Sequence, residues 1–189
     1  MNLIDAIYHR RAVRDFLDRP VSEETLRFLI GAAIQAPNAL NRQAWSFVVV
    51  TNRALLESCS DQAKAYDLAH LPSNPHLAGL RERLASKEFN IFYNAPALIV
   101  ICATETDAMA QQDCCLAAEN LMLAAFGQGV GSCWIGLAQG WLNEQEGRDA
   151  LMIPPGHSAV APIILGYPHG TPEPVPRRDA HIVWIVEER

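Results

Sequence analysis

Apolar positions recur at helical or strand spacing along most of this chain, and the spacing predicts its elements. Helical spacing predicts helices over residues 2–9, 22–33, 53–64, 77–89, 107–128 and 144–151. Runs of apolar and β-branched residues predict strands over residues 45–51, 96–103, 132–137, 159–167 and 181–187. Residues 66–75 contain two prolines and little periodicity, so they are predicted to form a loop.

The order of these elements indicates the fold class. The helix over residues 107–128 is apolar on nearly all sides, as is typical of a helix at the centre of a core. Strands and helices alternate irregularly, which favours an α+β fold or a mixed sheet over a doubly wound one. The sequence has no G-x-G-x-x-G after a strand and no G-x-x-x-x-G-K-[ST], which argues against nucleotide binding through either motif.

Length and composition narrow the class of protein further. The chain has 189 residues, of which 50% are hydrophobic, enough for one domain with a sizeable core or at most two small ones. Apolar stretches such as residues 95–103 are far shorter than the ~18–20 residues of a membrane helix. The first residues lack the pattern of a signal peptide. We therefore expect a single domain over residues 1–189, located in the cytoplasm, with no membrane partner.

Charge and cysteine spacing argue against two further classes. The net charge is −6, which disfavours a nucleic-acid binder that neutralises phosphates. The five cysteines form no C-x-x-C pair and no Cys/His spacing of a zinc site, so no metal is predicted. They are interpreted as small apolar residues in or near the core.

Three arginines within five residues form the first candidate site. Arg10, Arg11 and Arg14 follow the first predicted helix, and arginine forks bind phosphate oxygens with paired hydrogen bonds. Arg10 and Arg14 share a face in either a helix or a strand. Taken alone, the cluster is equally compatible with a solvated basic surface.

Two loops supply further candidates. Residues 36–45 are polar and turn-forming, and their Asn and Gln amides suit the edge of a heteroaromatic ring. Residues 127–136 are rich in glycine, which lets backbone N–H groups approach a flat ligand closely. Each segment by itself is also compatible with an ordinary connection between elements.

Taken together and in this order, these segments resemble the flavin-dependent nitroreductase family. The resemblance rests on five motifs: RRAVR (10–14), APNALNRQAW (36–45), GVGSCWIG (129–136), GYP (166–168) and PRR (176–178). They span essentially the whole chain. Three positions depart from the family pattern, because Ala12 stands where serine is usual, Asn38-Ala39 where small hydroxylated residues are common, and Ala44 where proline precedes Trp45.

The resemblance implies an α+β fold with a central mixed, mostly antiparallel sheet flanked by helices, in an interlocked homodimer with two FMN sites at the subunit interface. It also implies which residues bind the cofactor. Arg10, Arg11 and Arg14, with Ala12 between them, would contact the phosphate, ribityl chain or ring edge. The backbone of Trp134, Ile135, Gly136 and Leu137 would lie along the ring. The partner subunit would contribute Pro37, Asn38, Ala39 and Asn41, and Arg177 or Arg178 would reach the phosphate.

The implied function is an NAD(P)H-dependent oxidoreductase that reduces nitroaromatics, quinones or similar acceptors. Hydride would pass from NADH or NADPH to FMN, and the acceptor would then use the same face in a ping-pong cycle. The flavin carries the chemistry, so no catalytic side chain is expected. The alternatives are a flavin-binding redox module without turnover, or another flavin enzyme of the superfamily, such as a dehalogenase.

Two segments have expected roles outside the motifs. Residues 66–90 are expected to vary and to lie near the substrate pocket, where Tyr66, His70 and His76 could line it. Residues 171–189 are expected to extend to the partner subunit, because a proline-rich spacer separates the apolar strand over residues 181–187 from the preceding strand. An unpaired apolar strand is an aggregation hazard, so it must pair somewhere.

Overall fold

A four-stranded antiparallel sheet lies at the centre of the computed structural model, which describes residues 2–71 and 79–186. The strand order is β1-β2-β4-β3, so β2 and β4 are central. Each neighbouring pair is antiparallel. The strands are β1 (Trp45–Val50), β2 (Ala97–Ala103), β3 (Gly131–Trp134) and β4 (Ser158–Gly166).

Helices cover both faces of the sheet, which confirms the α+β class. They are α1 (Leu3–His9), α2 (Glu23–Ala33), α3 (Arg53–His70), α4 (Arg81–Ala85), α5 (Ala108–Gly127), α6 (Gly136–Leu142) and α7 (Gln145–Ala150). A short 3-10 turn spans Ala39–Asn41. Within residues 2–71 and 79–186, no helix combines the length and apolarity needed to cross a membrane.

Alternation along β2 divides the core into two clusters. All seven residues of β2 are buried, because successive side chains point to opposite faces of a sheet that is covered on both. Ile99 and Ile101 pack with apolar residues of α2 and α5. Leu98 and Val100 pack with apolar residues of α3 and α6. Helix α5 therefore lies against one face, with eight buried residues of its own.

The predicted starts of three helices are confirmed, because a side chain caps the N-terminus of each. Asn2 and Asp5 form a reciprocal capping box at the start of α1. Ser22 caps α2 by accepting from the Thr25 N–H, and Asp107 caps α5 by accepting from the Met109 and Ala110 N–H groups.

Helix α3 is longer than predicted, which moves the start of the expected loop. The loop was expected from residue 66, but α3 continues to His70. Packing explains the difference. The Tyr66 ring lies so close to Gly140 of α6 that a Cβ at that position would be only 2.6 Å from the ring. The predicted helix over residues 77–89 is also corrected, to Arg81–Ala85 among its described residues. Residues 72–78, which include His76, lie outside the described residues.

The predicted strand over residues 132–137 is wrong at its end. Strand β3 stops at Trp134, and α6 begins at Gly136. Two glycines lower the helix propensity of α6, so its sequence gives little helical signal. Burial of Ala138, Trp141 and Leu142 stabilises the helix instead.

The predicted strand over residues 181–187 does not form in the described chain. Residues 181–186 have no regular secondary structure and are exposed, and Glu187 lies outside the described residues. A strand needs a neighbour to bond its backbone, and this segment has none among the residues that the structure describes. The four strands pair antiparallel, and an isolated bridge between Ala12 and Ser132 adds a parallel pairing at the β3 edge, which agrees with the expected mostly antiparallel sheet.

Candidate functional site

The segment that carries the three arginines lies against the start of β3. The Val13 N–H donates to the Ser132 carbonyl at 3.0 Å, next to the bridge between Ala12 and Ser132. Gly131 makes this approach possible, because a Cβ there would lie 2.8 Å from the Cβ of Val13. Two segments that are distant in the sequence, RRAVR and GVGSCWIG, therefore form one structural unit.

Two guanidinium groups of this unit hold buried nitrogens that no residue satisfies. Nε of Arg10 and Nε of Arg11 are buried without a hydrogen-bond partner in the described chain. Glu119 Oε1 lies 3.6 Å from the Arg10 Nε, too far for a hydrogen bond. The Arg11 Nη1 is occupied, since it donates to the Tyr8 and Arg10 carbonyls at 2.8 Å. Buried unsatisfied N–H donors are costly, so they favour a ligand that accepts hydrogen bonds.

A cavity of about 280 Å³ opens beside these arginines. Its volume is just below the ~300–1,000 Å³ of typical small-molecule sites, so it encloses part of a larger ligand at most. Two segments of the site line it, together with residues that follow β4. The lining residues are His9, Arg10, Arg11, Val13, Phe126, Gly129, Val130, Gly131, Ser132, Pro168, Thr171, Pro172 and Pro174.

Arg14 faces away from this cavity, toward Tyr93 and Cys133. Its Cζ lies 5.8 Å from the centroid of the Tyr93 ring. Burial raises the pKa of the Cys133 thiol above its usual value, and the nearby Arg14 and Arg10 oppose that shift without reversing it. The thiol is therefore held protonated, which argues against a redox or nucleophilic role for Cys133.

The chain reverses direction where β3 meets α6, and the predicted ring contacts lie at this junction. Trp134 is half-buried, and the Ile135 N–H extends the sheet pairing by donating to the Pro162 carbonyl at 2.8 Å. Gly136 and Leu137 are the first two residues of α6. Their N–H groups have no acceptor within the helix, because the first turn of a helix leaves its donors free.

The loop that contains Pro37, Asn38, Ala39 and Asn41 is held in a fixed conformation by its own bonds and by Asp113. The Ala39 N–H donates to both carboxylate oxygens of Asp113 at 3.1 Å, and Asp113 is 4% exposed. The Asn38 Oδ1 accepts from the Gln43 N–H at 2.9 Å. Leu40, Asn41 and Gln43 have positive φ, a strained conformation that persists only where its surroundings enforce it.

Arg42 ties the same loop to the start of α5. Its Nη1 lies 2.7 Å from Glu105 Oε2 and 2.9 Å from Asp107 Oδ2, and its Nη2 donates to Asp107 Oδ1 at 3.1 Å. This hydrogen-bonded guanidinium, with the N–H groups of the first turn, holds the pKa of Asp107 well below its usual value. Arg42 and Asp113 were not predicted to support the loop. The signal available for Asp113 was a carboxylate placed directly before the apolar run of α5 that begins at Cys114.

Within one chain, this loop and the arginine unit lie apart. Asp113, which contacts Ala39, and Glu119, which approaches Arg10, are six residues apart on α5. That spacing corresponds to ~9 Å along the helix and ~240° around it. The cavity beside Arg10 is lined by none of Pro37, Asn38, Ala39 and Asn41. One chain therefore presents two separate sets of predicted cofactor residues.

Comparison with known proteins assigns the family. A sequence model of the Nitroreductase family matches residues 7–167. This chain belongs to that family. An Archaeoglobus fulgidus protein, provisionally named an NADH dehydrogenase/NAD(P)H nitroreductase, is 32% identical to this chain over 167 residues, covering 86% of this chain and 83% of the relative. The NADPH-flavin oxidoreductase of Vibrio harveyi is 31% identical over 188 residues, covering 96% and 72%.

A solved structure agrees with the fold. The nitroreductase of Bacteroides fragilis, crystallised with bound FMN, superposes on this one with a TM-score of 0.84 and 28% sequence identity. The match covers 99% of this chain and 100% of that one. Four of the five motifs lie wholly or almost wholly inside the matched range of the family model, whereas PRR lies beyond its end.

The C-terminal arginines of this chain lie in the exposed segment after β4. Arg177 donates from Nη1 to the Val175 carbonyl at 3.4 Å, and both Arg177 and Arg178 are exposed. Neither lines the cavity beside Arg10, although Thr171, Pro172 and Pro174 of the same segment do. The structure therefore brings the start of this segment to the site and leaves its arginines outside.

Proposed function

We propose that this protein is an FMN-dependent NAD(P)H oxidoreductase that reduces nitroaromatics, quinones or similar acceptors. The observation that carries the proposal is the pair of buried, unpartnered Nε donors of Arg10 and Arg11 beside a cavity. A phosphate dianion offers several acceptor oxygens and two negative charges, so it suits these groups. Names of relatives also support it, since they include a flavin oxidoreductase and an NAD(P)H nitroreductase.

The residues present fit the phosphate and the ring of FMN. Arg10 and Arg11 would hold the phosphate, and Arg14 would lie at the ring edge. Ala12 offers no hydroxyl, so its contribution would be limited to packing and backbone contacts. The free N–H groups at the start of α6 would lie along the ring, with Trp134 and Ile135 beside them. When bound, FMN would supply hydride transfer, and the chain itself would bind, orient and exclude water.

We further propose that a second copy of the chain completes the site. The Asp113-supported loop would bring Pro37, Asn38, Ala39 and Asn41 to the partner's flavin. This proposal is supported by the separation of the two residue sets within one chain and by Leu40, which is 90% exposed at the tip of a rigid loop. Arg177 or Arg178 would reach the phosphate as the C-terminal segment crosses between subunits.

The exposed strand edge supports the same assembly. Strand β1 ends the sheet order, and no second neighbour is recorded for it in the described ranges. Its residues Val48 and Val49 belong to an apolar edge, which proteins normally cover. The apolar segment that follows Arg178 needs a strand to pair with, so the partner's β1 is a suitable place. A cytoplasmic location, expected from the sequence, stays a prediction.

Colour and turnover test the proposal in one preparation. The purified protein should be yellow, and FMN should be released on denaturation. It should oxidise NADH or NADPH steadily when 4-nitrobenzyl alcohol or a quinone is added, and only slowly in their absence. A colourless protein that takes up no added FMN would refute flavin binding. A yellow protein without turnover on either acceptor would indicate a flavin-binding module, and turnover restricted to a halogenated acceptor would indicate the dehalogenase-type alternative.

A further inference from the structure

Three side chains from the segment after α3 form a cluster that the proposed FMN site does not use. Arg83 of α4 stacks its guanidinium over the Phe89 ring, with Cζ 4.2 Å from the centroid. The Arg83 Nη2 also donates to the Tyr93 hydroxyl at 3.1 Å. Phe89 and Tyr93 meet edge to face, with centroids 5.8 Å apart. The two rings thus hold the Arg83 guanidinium in place at the surface.

The Tyr93 ring connects this cluster to the proposed flavin site. Arg14 and Arg83 have their Cζ atoms 5.8 and 5.6 Å from the same ring centroid. Arg14 also lies close enough to Cys133 to oppose the rise that burial causes in the pKa of its thiol, and Cys133 directly precedes Trp134 and the β3–α6 junction. The backbone keeps Tyr93 in position, because its N–H donates to the Asn90 carbonyl at 2.9 Å and both Tyr93 and Asn94 have positive φ.

Neither arginine of this pair has a carboxylate partner. Across residues 2–71 and 79–186, no Asp or Glu oxygen lies within 4.0 Å of Arg14 or Arg83, whereas Arg10, Arg27 and Arg53 each have one carboxylate partner and Arg42 has two. Two guanidiniums on one ring repel each other, and an acidic protein of net charge −6 has carboxylates available to neutralise them. The unpaired arrangement favours a ligand that brings its own negative charge.

We propose that Arg83, Phe89 and Tyr93 select aromatic acceptors that carry a carboxylate. The proposal rests on the proposed function, since it names a substrate class for that site. Phe89 and Tyr93 would contact the acceptor ring, and the Arg83 fork would donate paired hydrogen bonds to the carboxylate. The acceptor's reducible group would then point past Tyr93, toward Arg14 and the β3–α6 junction.

A matched pair of arginine variants tests the assignment. Arg83→Gln and Arg81→Gln remove the same charge from the same helix, but Arg81 has no recorded contact with either ring. The readout is the ratio of kcat/KM for 4-nitrobenzoate to that for neutral 4-nitrobenzyl alcohol. Charge-assisted hydrogen bonds of this kind predict a ratio at least ~10-fold lower in Arg83→Gln. Arg81→Gln should stay within about twofold of the unaltered protein, as expected for an unpaired surface charge.

Arg83→Lys separates the guanidinium fork from its charge. This variant keeps the charge and loses the fork, so the ratio should recover only in part. An unchanged ratio in Arg83→Gln, or an equal fall in Arg83→Gln and Arg81→Gln, would overturn the proposal. It would also be overturned if Arg83→Gln altered the preference for NADPH over NADH instead, because the anion recognised would then be the 2′-phosphate of the nicotinamide cofactor.

Calorimetry with benzoate separates this proposal from the proposed function. Benzoate has no nitro group, so its binding can be measured without turnover, with benzyl alcohol as the neutral control. Benzoate binding that Arg83→Gln weakens ~10-fold would support the site even in a preparation that reduces no acceptor. Reduction of neutral acceptors without Arg83-dependent benzoate binding would overturn the site and leave the proposed function standing.

Discussion

Helix α5 and the C-terminal segment, residues 181–186, are both rich in apolar residues, but the helix is largely buried and the segment is exposed. Eight residues of α5 are buried against the sheet and α2, and they include Leu121, which is fully buried. In the C-terminal segment, Trp184 is 79% and Ile185 is 96% exposed. Both segments gain free energy by leaving water, at ~25 cal/mol per Å² of apolar surface. Apolar composition therefore indicates that a segment needs a partner, and it does not indicate which chain supplies it.

The difference between the two segments follows from what lies next to them. Helix α5 lies between other elements of the same chain and packs directly against the sheet. The C-terminal segment follows a spacer that contains Pro172, Pro174 and Pro176, which cannot form a tight hairpin back to β4. We interpret its exposure as that of a segment whose neighbour is a second copy of the chain.

Two truncations test this interpretation and should have the largest effect of the changes considered. A chain ending at Gly170 loses both the cavity-lining Thr171 and Pro172 and the exposed apolar segment. We expect it to lose the dimer and the flavin together, as measured by light scattering after size-exclusion chromatography and by the absorbance ratio of flavin to protein.

A chain ending at Ala180 is the matched control, because it keeps the cavity lining and both C-terminal arginines. It should lose most of the dimer and retain weakened FMN binding. If the Gly170 truncation remains dimeric and yellow, the segment does not cross to a partner. The comparison between buried helix and crossing segment would then be wrong.

Leu121→Ala tests how much the buried helix α5 contributes to the free energy of unfolding. Truncating a fully buried leucine removes apolar contacts and leaves a cavity, so the free energy of unfolding should fall by ~2–5 kcal/mol. Urea denaturation at fixed protein and FMN concentration gives the value. Gln112→Ala on the exposed side of α5 should change it by less than ~0.5 kcal/mol. Equal effects would show that α5 does not form the core.

Arg10→Ala and Arg11→Ala, measured separately, test the arginine unit, because the buried Nε donors of both residues are left unsatisfied in the described chain. Losing a charge-assisted bond to phosphate costs ~1.5–3 kcal/mol, so FMN affinity should fall by about one to two decades. Fluorescence titration of the apoprotein with FMN measures it. Arg27→Ala, which removes an exposed arginine paired with Glu23, is the control. Unchanged affinity in both Arg10→Ala and Arg11→Ala would place the phosphate elsewhere.

Asp67 is a buried polar residue whose carboxylate is only partly compensated, because the effect of burial on its pKa is opposed but not cancelled by nearby His70. Its Oδ2 has no recorded partner in the described chain, and burial raises its pKa to about 6. Because the folded state binds the proton more tightly than the unfolded state, this group lowers stability as the pH rises from about 4 to about 6. Asp67→Asn should therefore stabilise the protein by ~2 kcal/mol at pH 7.5 and by much less at pH 4.

Denaturation curves of both proteins at the two pH values measure this effect. A gain that is equal at pH 4 and pH 7.5 would show that the substitution acts by packing, and that the Asp67 carboxyl does not titrate in this range. A loss of stability at pH 7.5 would show that the carboxylate has a partner, contrary to the geometry.

Local sequence signals were sufficient where neighbouring residues determine the structure. The Ser22 and Asp107 caps, the β-branched residues of β1 and the apolar run of β2 were all predictable, because capping and burial on a covered sheet act over a few residues. The same local signals missed α6 and shortened α3. There, the contact between Tyr66 and Gly140 joins two residues more than seventy positions apart, and no local pattern predicts it.

The sequence by itself determined the family of this protein, most of its α+β elements and which residues are candidates for cofactor binding, because motifs and periodicity are local properties of the chain. Only the tertiary structure decided that RRAVR lies against β3, that Asp113 holds the Asn38–Asn41 loop, and that Arg14 and Arg83 share the Tyr93 ring. The physical reason is that these contacts join residues that are far apart in the sequence. A hydrogen bond or a ring contact depends on distance in space, and the folded sheet and helices bring together residues that the sequence separates by tens of positions.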